Sequence, residues 1–294
     1  MDGIIAIDKP IGMTSHDVVN KVRRITGQRK CGHTGTLDPF ASGILICCLG
    51  KATRLVQFIT EGTKTYEAEI SLGIATDTYD KEGAISNEDT SVQLDKKNIL
   101  EVLPQFTGEI LQVPPMYSAL HHEGKRLYEL AREGIEVERI AREVEVHGIE
   151  IIGYDNLPDV LTYGDKISLK IICSKGTYIR TLAHDICIKL GTFGHLSALR
   201  RTGNAGFSID DISTLDELTE CPKDKLLPIT RGVQSLANHT ITTEDVEEIG
   251  YGRSIKRYSI PSSSDMVALM HEDRLIAIAD NSDECEIKPK IVFI

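Results

Sequence analysis

Apolar side chains recur along this 294-residue chain with two different periods, and the periods assign its elements. Residues 3–7 form an unbroken apolar run of strand length, which reads as a buried strand. Ser15 reads as an N-cap, after which Val18, Val19, Val22 and Ile25 fall on one helical face, with Lys21 and Arg24 off the stripe. Residues 64–72 alternate, placing Tyr66, Ala68, Ile70 and Leu72 on one side of a strand. The spacing predicts a helix over 94–106 with Ile99, Leu100 and Leu103 inward, and a strand over 167–172. A second long helix follows over 177–190, burying Ile179, Leu182, Ala183 and Ile186. Strands and helices do not alternate as βαβ units, so the pattern predicts an α+β fold with a mixed, largely antiparallel sheet. Pro228, Gly232 and Asn238-His239-Thr240 interrupt the pattern and mark a boundary near 230–242. Past it, short strands at 266–270, 275–279 and 288–293 make a small β-rich unit.

Composition narrows the class. With 41% hydrophobic and 26% charged residues, the chain can bury a core and is not disordered. Its longest uncharged apolar stretch, 40–50, is about half of what a membrane-spanning helix needs. The N-terminus lacks the basic region of a secretory signal. Seven cysteines without a single C-x-x-C argue against a disulfide framework or a zinc ribbon and fit a reducing cytosol. Cys31 and His33 lack a second pair of ligands, so no metal site is expected.

Net charge is −11, which at first disfavours a polyanionic partner. The charge is uneven, however. Residues 76–110 hold 8 acids against 3 bases, 208–226 hold 6 against 2, and 241–294 hold 11 against 6. The remainder is slightly basic, and residues 21–30 contain five bases and no acid. Local field decides whether a phosphate backbone can dock, so nucleic acid is not excluded.

The densest chemical signal is Gly32-His-Thr-Gly-Thr-Leu-Asp-Pro-Phe-Ala-Ser-Gly43. Taken alone, it predicts a tight loop entering a helix, with Asp38 as N-cap and Pro39 at the first helical position. GHTGTLDPFASGIL followed by LGKATRL closely resembles the catalytic motif of the TruB-type tRNA pseudouridine synthases. Further matches follow in the family's order: Asp8-Lys9-Pro10-x-Gly12-Met13-Thr14-Ser15, Lys64-Thr-Tyr66, Pro114-Pro-Met-Tyr-Ser-Ala-Leu120, Gly124-Lys-Arg-Leu-Tyr-Glu-Leu-Ala-Arg-Glu-Gly134, Ser174-Lys-Gly-Thr-Tyr-Ile-Arg180 and Leu199-Arg-Arg201. They span residues 8 to 201, about two-thirds of the chain.

The resemblance implies isomerisation of a tRNA uridine at position 55 of the T loop, with the base flipped out of its stack and no cofactor. It makes Asp38 the catalytic carboxylate, a group able to attack carbon or take a proton. The residues leave open addition to C1′, addition to uracil C6, or removal of the 2′ proton. Tyr66 corresponds to the tyrosine that stacks on the target base, and Arg180 to the arginine that pairs with the aspartate. His33, Leu199, Lys9, Lys64, Arg126, Arg132 and Arg200 are the expected RNA-binding or pocket residues. The resemblance further implies a catalytic domain over 1–235, an RNA-clamping insertion at 116–142 and a PUA-like domain over 241–294. A cytoplasmic monomer needing no obligate protein partner is expected, as in the bacterial stand-alone enzymes. The acidic segments would then lie away from the RNA, with 21–30 and 116–142 facing it.

Overall fold

A computed structural model describes residues 1–256, 265–283 and 285–294, and the alternating segment at 64–72 lies in the middle of its main sheet. Nine strands form that sheet: β1 (Gly3–Lys9), β2 (Cys31–His33), β3 (Ser42–Leu49), β4 (Lys64–Leu72), β5 (Gly108–Gln112), β6 (Arg142–Ile151), β7 (Lys166–Cys173), β8 (Gly194–Asn204) and β9 (Phe207–Ser208). Their order is β1-β3-β8-β4-β7-β6-β5, with β2 paired to β3 and β9 to β8. Every pairing is antiparallel except β3 with β8. The fold is α+β around a mixed sheet, as the patterning predicts.

The unbroken apolar runs are explained by burial on both faces. Ile5, Ile7, Leu45, Cys47 and Leu49 share a core with Val18, Val19 and Val22 of helix α1 (Ser15–Thr26). On the opposite face, Ile4, Ala6, Ile44, Ile46 and Cys48 share a core with Ala268, Leu275, Ile278 and Phe293 of the C-terminal unit. Most of the 40–50 stretch, residues 42–49, is therefore a doubly covered strand. Among the described residues no helix is long and apolar enough to cross a membrane.

The C-terminal unit is a five-stranded sheet, β10 (Ala237–Thr240), β11 (Ile255–Lys256), β12 (Met266–His271), β13 (Arg274–Asp280) and β14 (Glu286–Val292), ordered β10-β12-β13-β14-β11. It is tied to the main body at its last strand. Lys51 Nζ donates to the Phe293 carbonyl at 3.0 Å and Arg54 Nη1 to that of Val292 at 2.7 Å.

Three local expectations are corrected. Helix α1 is capped by Thr14, one residue before Ser15, because Thr14 and Asp17 form a reciprocal capping box. The 94–106 helix divides: Asp95 caps α2 (Lys96–Val102) through the Lys97 N–H, and Pro104, which has no N–H to give, tightens 103–106 into a 3₁₀ turn. Ile99 and Leu103 are buried there, but Leu100 is 48% exposed. No helix begins at Pro39; the chain makes one turn and enters β3. Helix α4 (Ile179–Lys189) does bury Ile179, Leu182, Ala183 and Ile186.

Gly43, at that entry, sits at φ +98° opposite Arg201 of β8. A Cβ there would stand 2.2 Å from the Arg201 carbonyl oxygen. Gly43→Ala is expected to cost about 2–4 kcal/mol, since positive φ and a backbone clash act together. Urea unfolding of the variant measures it.

Candidate active site

Asp38 opens a β-turn, closed by the Ala41 N–H donating to the Asp38 carbonyl at 3.1 Å. Pro39 takes the second position, where its fixed φ suits a turn as well as it would suit a helix start. Each flank of the turn is anchored. Leu37 and Phe40 are buried in the same core as Tyr66, Ala68 and Leu199. Ser15 Oγ accepts the Leu37 N–H at 2.8 Å and donates to the Leu37 carbonyl at 3.2 Å. The Gly12 N–H and the Lys9 ammonium both donate to the Pro39 carbonyl, at 2.8 and 3.3 Å. With its neighbours fixed, the Asp38 side chain stays about a third exposed, at 35%.

Arg180, in the first turn of α4, meets it. Nε lies 3.1 Å from Asp38 Oδ2 and Nη2 donates to Oδ1 at 3.3 Å, a two-pronged pairing of planar groups. The guanidinium is buried and its other hydrogens are also used. Nη1 donates to the Thr78 carbonyl at 3.0 Å and lies 3.4 Å from Asp80 Oδ2; Nη2 reaches the Tyr117 carbonyl at 2.7 Å. Asp80 is held in turn by the Thr78 hydroxyl (2.7 Å) and the Glu82 N–H (3.0 Å) on Oδ1. One cation thus joins the 37–41 turn, the 77–80 loop and residue 117.

Burial pushes the Asp38 carboxyl above its ordinary pKa. Arg180 pulls it down, Asp80 pushes it up, and Lys9 pulls it down again. The Asp38 charge is also felt at the hydroxyls of Tyr66 and Tyr178, and Tyr66 packs in the core that holds Leu37 and Phe40 on either flank of Asp38. Burial raises the Tyr66 phenol, against the pull of Arg201, its cross-strand partner. A protonated phenol with a flat face beside a carboxylate, and the apolar Leu199 close by in the same core, suits a planar uncharged base.

Comparison with known proteins gives the family of the chain. Residues 23–179 match the model of the TruB family pseudouridylate synthase N-terminal domain, and residues 180–228 the tRNA pseudouridylate synthase B C-terminal domain. The chain belongs to the TruB family of pseudouridylate synthases. Relatives named tRNA pseudouridine synthase B include that of Streptococcus thermophilus, 41% identical over 100% of this chain and 99% of that one, and that of Streptococcus agalactiae, 43% identical over 99% of each. That of Clostridium kluyveri is 45% identical over 90% of this chain and 89% of that one. Among solved structures, an H/ACA RNP bound to a substrate RNA containing 2′-deoxyuridine superposes with TM-score 0.74 at 26% identity, and a Cbf5-Nop10-Gar1 complex with 0.73 at 28%. Each covers 99% of this chain and 85% of that one. Pseudouridylate synthases are isomerases, so this TruB-family chain is an enzyme.

The structure brings Asp38, Tyr66, Arg180 and Leu199 of this TruB-family enzyme together and sorts the remaining candidates. Lys9 is fully buried, its ammonium on the carbonyls of Pro10, Met13 and Pro39, so it braces the 37–41 turn and is not free to reach for RNA. Lys64 is likewise buried, donating to the carbonyls of Thr60 and Gly62. Burial lowers both ammonium pKa values to about 8. Arg200 forms a two-bonded pair with Asp8, at 3.0 and 2.9 Å. His33 accepts the Gly35 N–H on Nδ1 at 3.3 Å, and burial with the Arg201 charge holds its pKa low, so it presents a neutral ring. Arg126 and Arg132 lie over the Tyr128 ring on the surface of the insertion, well removed in sequence from the pairing groups.

Two residues were missed. Asp80 comes from the acidic 76–110 segment expected to lie away from the site; in fact that segment supplies the second carboxylate on Arg180. Arg201 is buried, with Nε on the Ile44 carbonyl at 2.8 Å and Nη2 on that of Gly35 at 3.1 Å. Strand alternation could have found it, since Leu199 and Arg201 share a face of β8.

Proposed function

We propose that this enzyme converts the uridine at position 55 in the T loop of tRNA to pseudouridine, with Asp38 as the reacting carboxylate. The two-pronged Asp38–Arg180 pairing beside Tyr66 is the observation that carries the reading. Net, the N1–C1′ bond breaks, C5 joins C1′, and a proton leaves C5 as one is gained at N1. Atoms balance within the nucleotide, so the reaction consumes no co-reactant. The freed uracil must turn while water is kept from C1′, since hydrolysis there would leave an abasic site. Extruding the base costs a few kcal/mol, and stacking on Tyr66 contributes about 1–3 kcal/mol toward it.

RNA grip is assigned to the 21–30 run and to the insertion. Within residues 116–142 a two-strand hairpin at 121–126 leads into the short α3 (Leu127–Arg132), held by a small core of Met116, Leu127 and Leu130. Of its ion pairs, Lys125–Glu133 is exposed on both sides and contributes little to stability, whereas Arg139 is mostly buried and pairs with an exposed Glu136. That leaves Arg126 and Arg132 able to meet phosphate. Arg126→Ala and Arg132→Ala should each weaken tRNA binding by about three- to tenfold and lower the salt slope by about one, with single-turnover rate preserved. Filter binding across a salt series measures both. The C-terminal unit is read as a PUA-like accessory RNA contact, and the acting species as a cytoplasmic monomer.

The direct test is the purified chain on transcribed tRNA, with pseudouridine mapped by base-specific chemical modification. Conversion at position 55 without added protein or guide RNA is expected, and its loss when that uridine is replaced by cytidine. Conversion elsewhere, or only with a guide RNA, would overturn the reading.

A further inference from the structure

Tyr79 stands between the two residues of the 77–80 loop that touch Arg180, and its backbone is at φ +63°, a region side-chain-bearing residues avoid. A glycine would adopt this turn without strain, so a tyrosine here calls for a role of its ring. The ring lies flat on His184, centroids 4.1 Å apart and planes 17° from parallel. His184 is one turn along α4 from Arg180, on the same side of the helix. Burial keeps its imidazole neutral, and its Nδ1 is enclosed without a hydrogen-bond partner, so the ring is placed by stacking. The loop is stitched to β8 by the Leu196 N–H on the Tyr79 carbonyl (3.0 Å) and the Lys81 N–H on the Leu196 carbonyl (2.9 Å). Those bonds fix the loop to the sheet, whereas the ring pair fixes it to the helix that carries the guanidinium.

We infer that Tyr79 and His184 are positioning residues for the reaction: their stack sets the distance between the 77–80 loop and α4, and thereby the orientation in which Arg180 holds Asp38. Without the stack, Thr78 and Asp80 still pair with Arg180, but the loop and helix can slide on each other and the guanidinium no longer meets Asp38 with both prongs. This rests on Arg180 serving Asp38 as proposed above. The effect belongs in turnover, because neither ring is assigned to gripping RNA.

The test uses full-length Tyr79→Gly, His184→Ala, Tyr79→Phe, His184→Phe and the Gly/Ala double variant, each assayed for single-turnover rate, tRNA affinity and thermal melting. Tyr79→Gly and His184→Ala should each lose about tenfold or more in rate with affinity within about twofold, and the double variant should be no slower than the slower single. The two Phe variants, which keep a ring, should stay near wild type. Wild-type turnover in Tyr79→Gly would overturn the inference, as would a loss confined to affinity or Phe variants as slow as the deletions. Should Tyr79→Gly melt early, the His184→Ala and His184→Phe contrast decides from the helix side. Asp38→Asn is run alongside. If it stays active the catalytic reading itself fails; if it is dead while Tyr79→Gly is normal, only the positioning role falls.

Discussion

Asp38→Asn is expected to abolish pseudouridine formation, lowering the single-turnover rate by on the order of 10⁴-fold or more, with tRNA affinity within about threefold of wild type. Asparagine has nearly the same shape and can still offer one oxygen to Arg180, but it has neither the charge to attack carbon nor the basicity to accept a proton. Folding should survive. Leu37, Phe40, Ser15 and Lys9 hold the turn independently of the Asp38 side chain, and Arg180 keeps Asp80 and the carbonyls of Thr78 and Tyr117.

The same variant tests the electrostatics. Burial raises the Asp38 pKa in the folded protein above its ordinary value of 3.8. A carboxyl raised on folding stabilises the protein at pH below that ordinary value, and the stabilisation is lost as pH climbs through the folded value. Above that folded value the ionised Asp38 is therefore a burden on the fold, and there the Asn variant should melt at the same temperature as wild type or higher. A dead enzyme that is no less stable is the signature of a residue kept for chemistry. A variant that turns over at an undiminished rate would remove Asp38 from the mechanism.

The parts of this site that were legible in the sequence are those written locally. Alternation at 64–72 and the stripe at 177–190 placed Tyr66 and Arg180 on correct elements, because burial of one face imposes a period whatever the partner. The Asp38-Pro39 pair was misread as a helix start because an aspartate followed by proline opens a β-turn as readily as a helix. The doubly buried strand that follows decides between them. Lys9 could not be recognised as buried, since the Pro39 carbonyl on its ammonium is brought up by tertiary structure, and Lys64, whose carbonyls on Thr60 and Gly62 are local, is covered only once β4 takes its place in the sheet. Asp80 was least legible of all. It lies 100 residues before Arg180 in an acidic stretch, and nothing in its own neighbourhood distinguishes it from a solvated carboxylate.

Arg180→Lys should lower the single-turnover rate by about 10²–10³-fold while leaving tRNA affinity nearly unchanged. The charge is kept, so any loss reports geometry. An ammonium is a single point with three donors, whereas Arg180 spans both Asp38 oxygens, Asp80 and two carbonyls from three separate segments. Lysine can reach Asp38 or Asp80 but cannot bridge them, and the carboxylate left over is exposed to water or, in the case of Asp80, buried without a full partner. That second outcome costs stability as well, about 1–3 kcal/mol, so the variant should also melt earlier than wild type. The acid limb of the pH–rate profile supplies an independent reading. The proposed role of Asp38 requires its ionised form, whose pKa burial raises and Arg180 lowers. Weakening that pairing lets the pKa rise further, so the limb should move to higher pH in Arg180→Lys and the rate deficit should shrink as pH increases. A variant with near-normal turnover, or an acid limb unmoved despite slow turnover, would mean that Arg180 does not govern Asp38, and the pairing would then be a structural tie between the 37–41 turn, the 77–80 loop and α4.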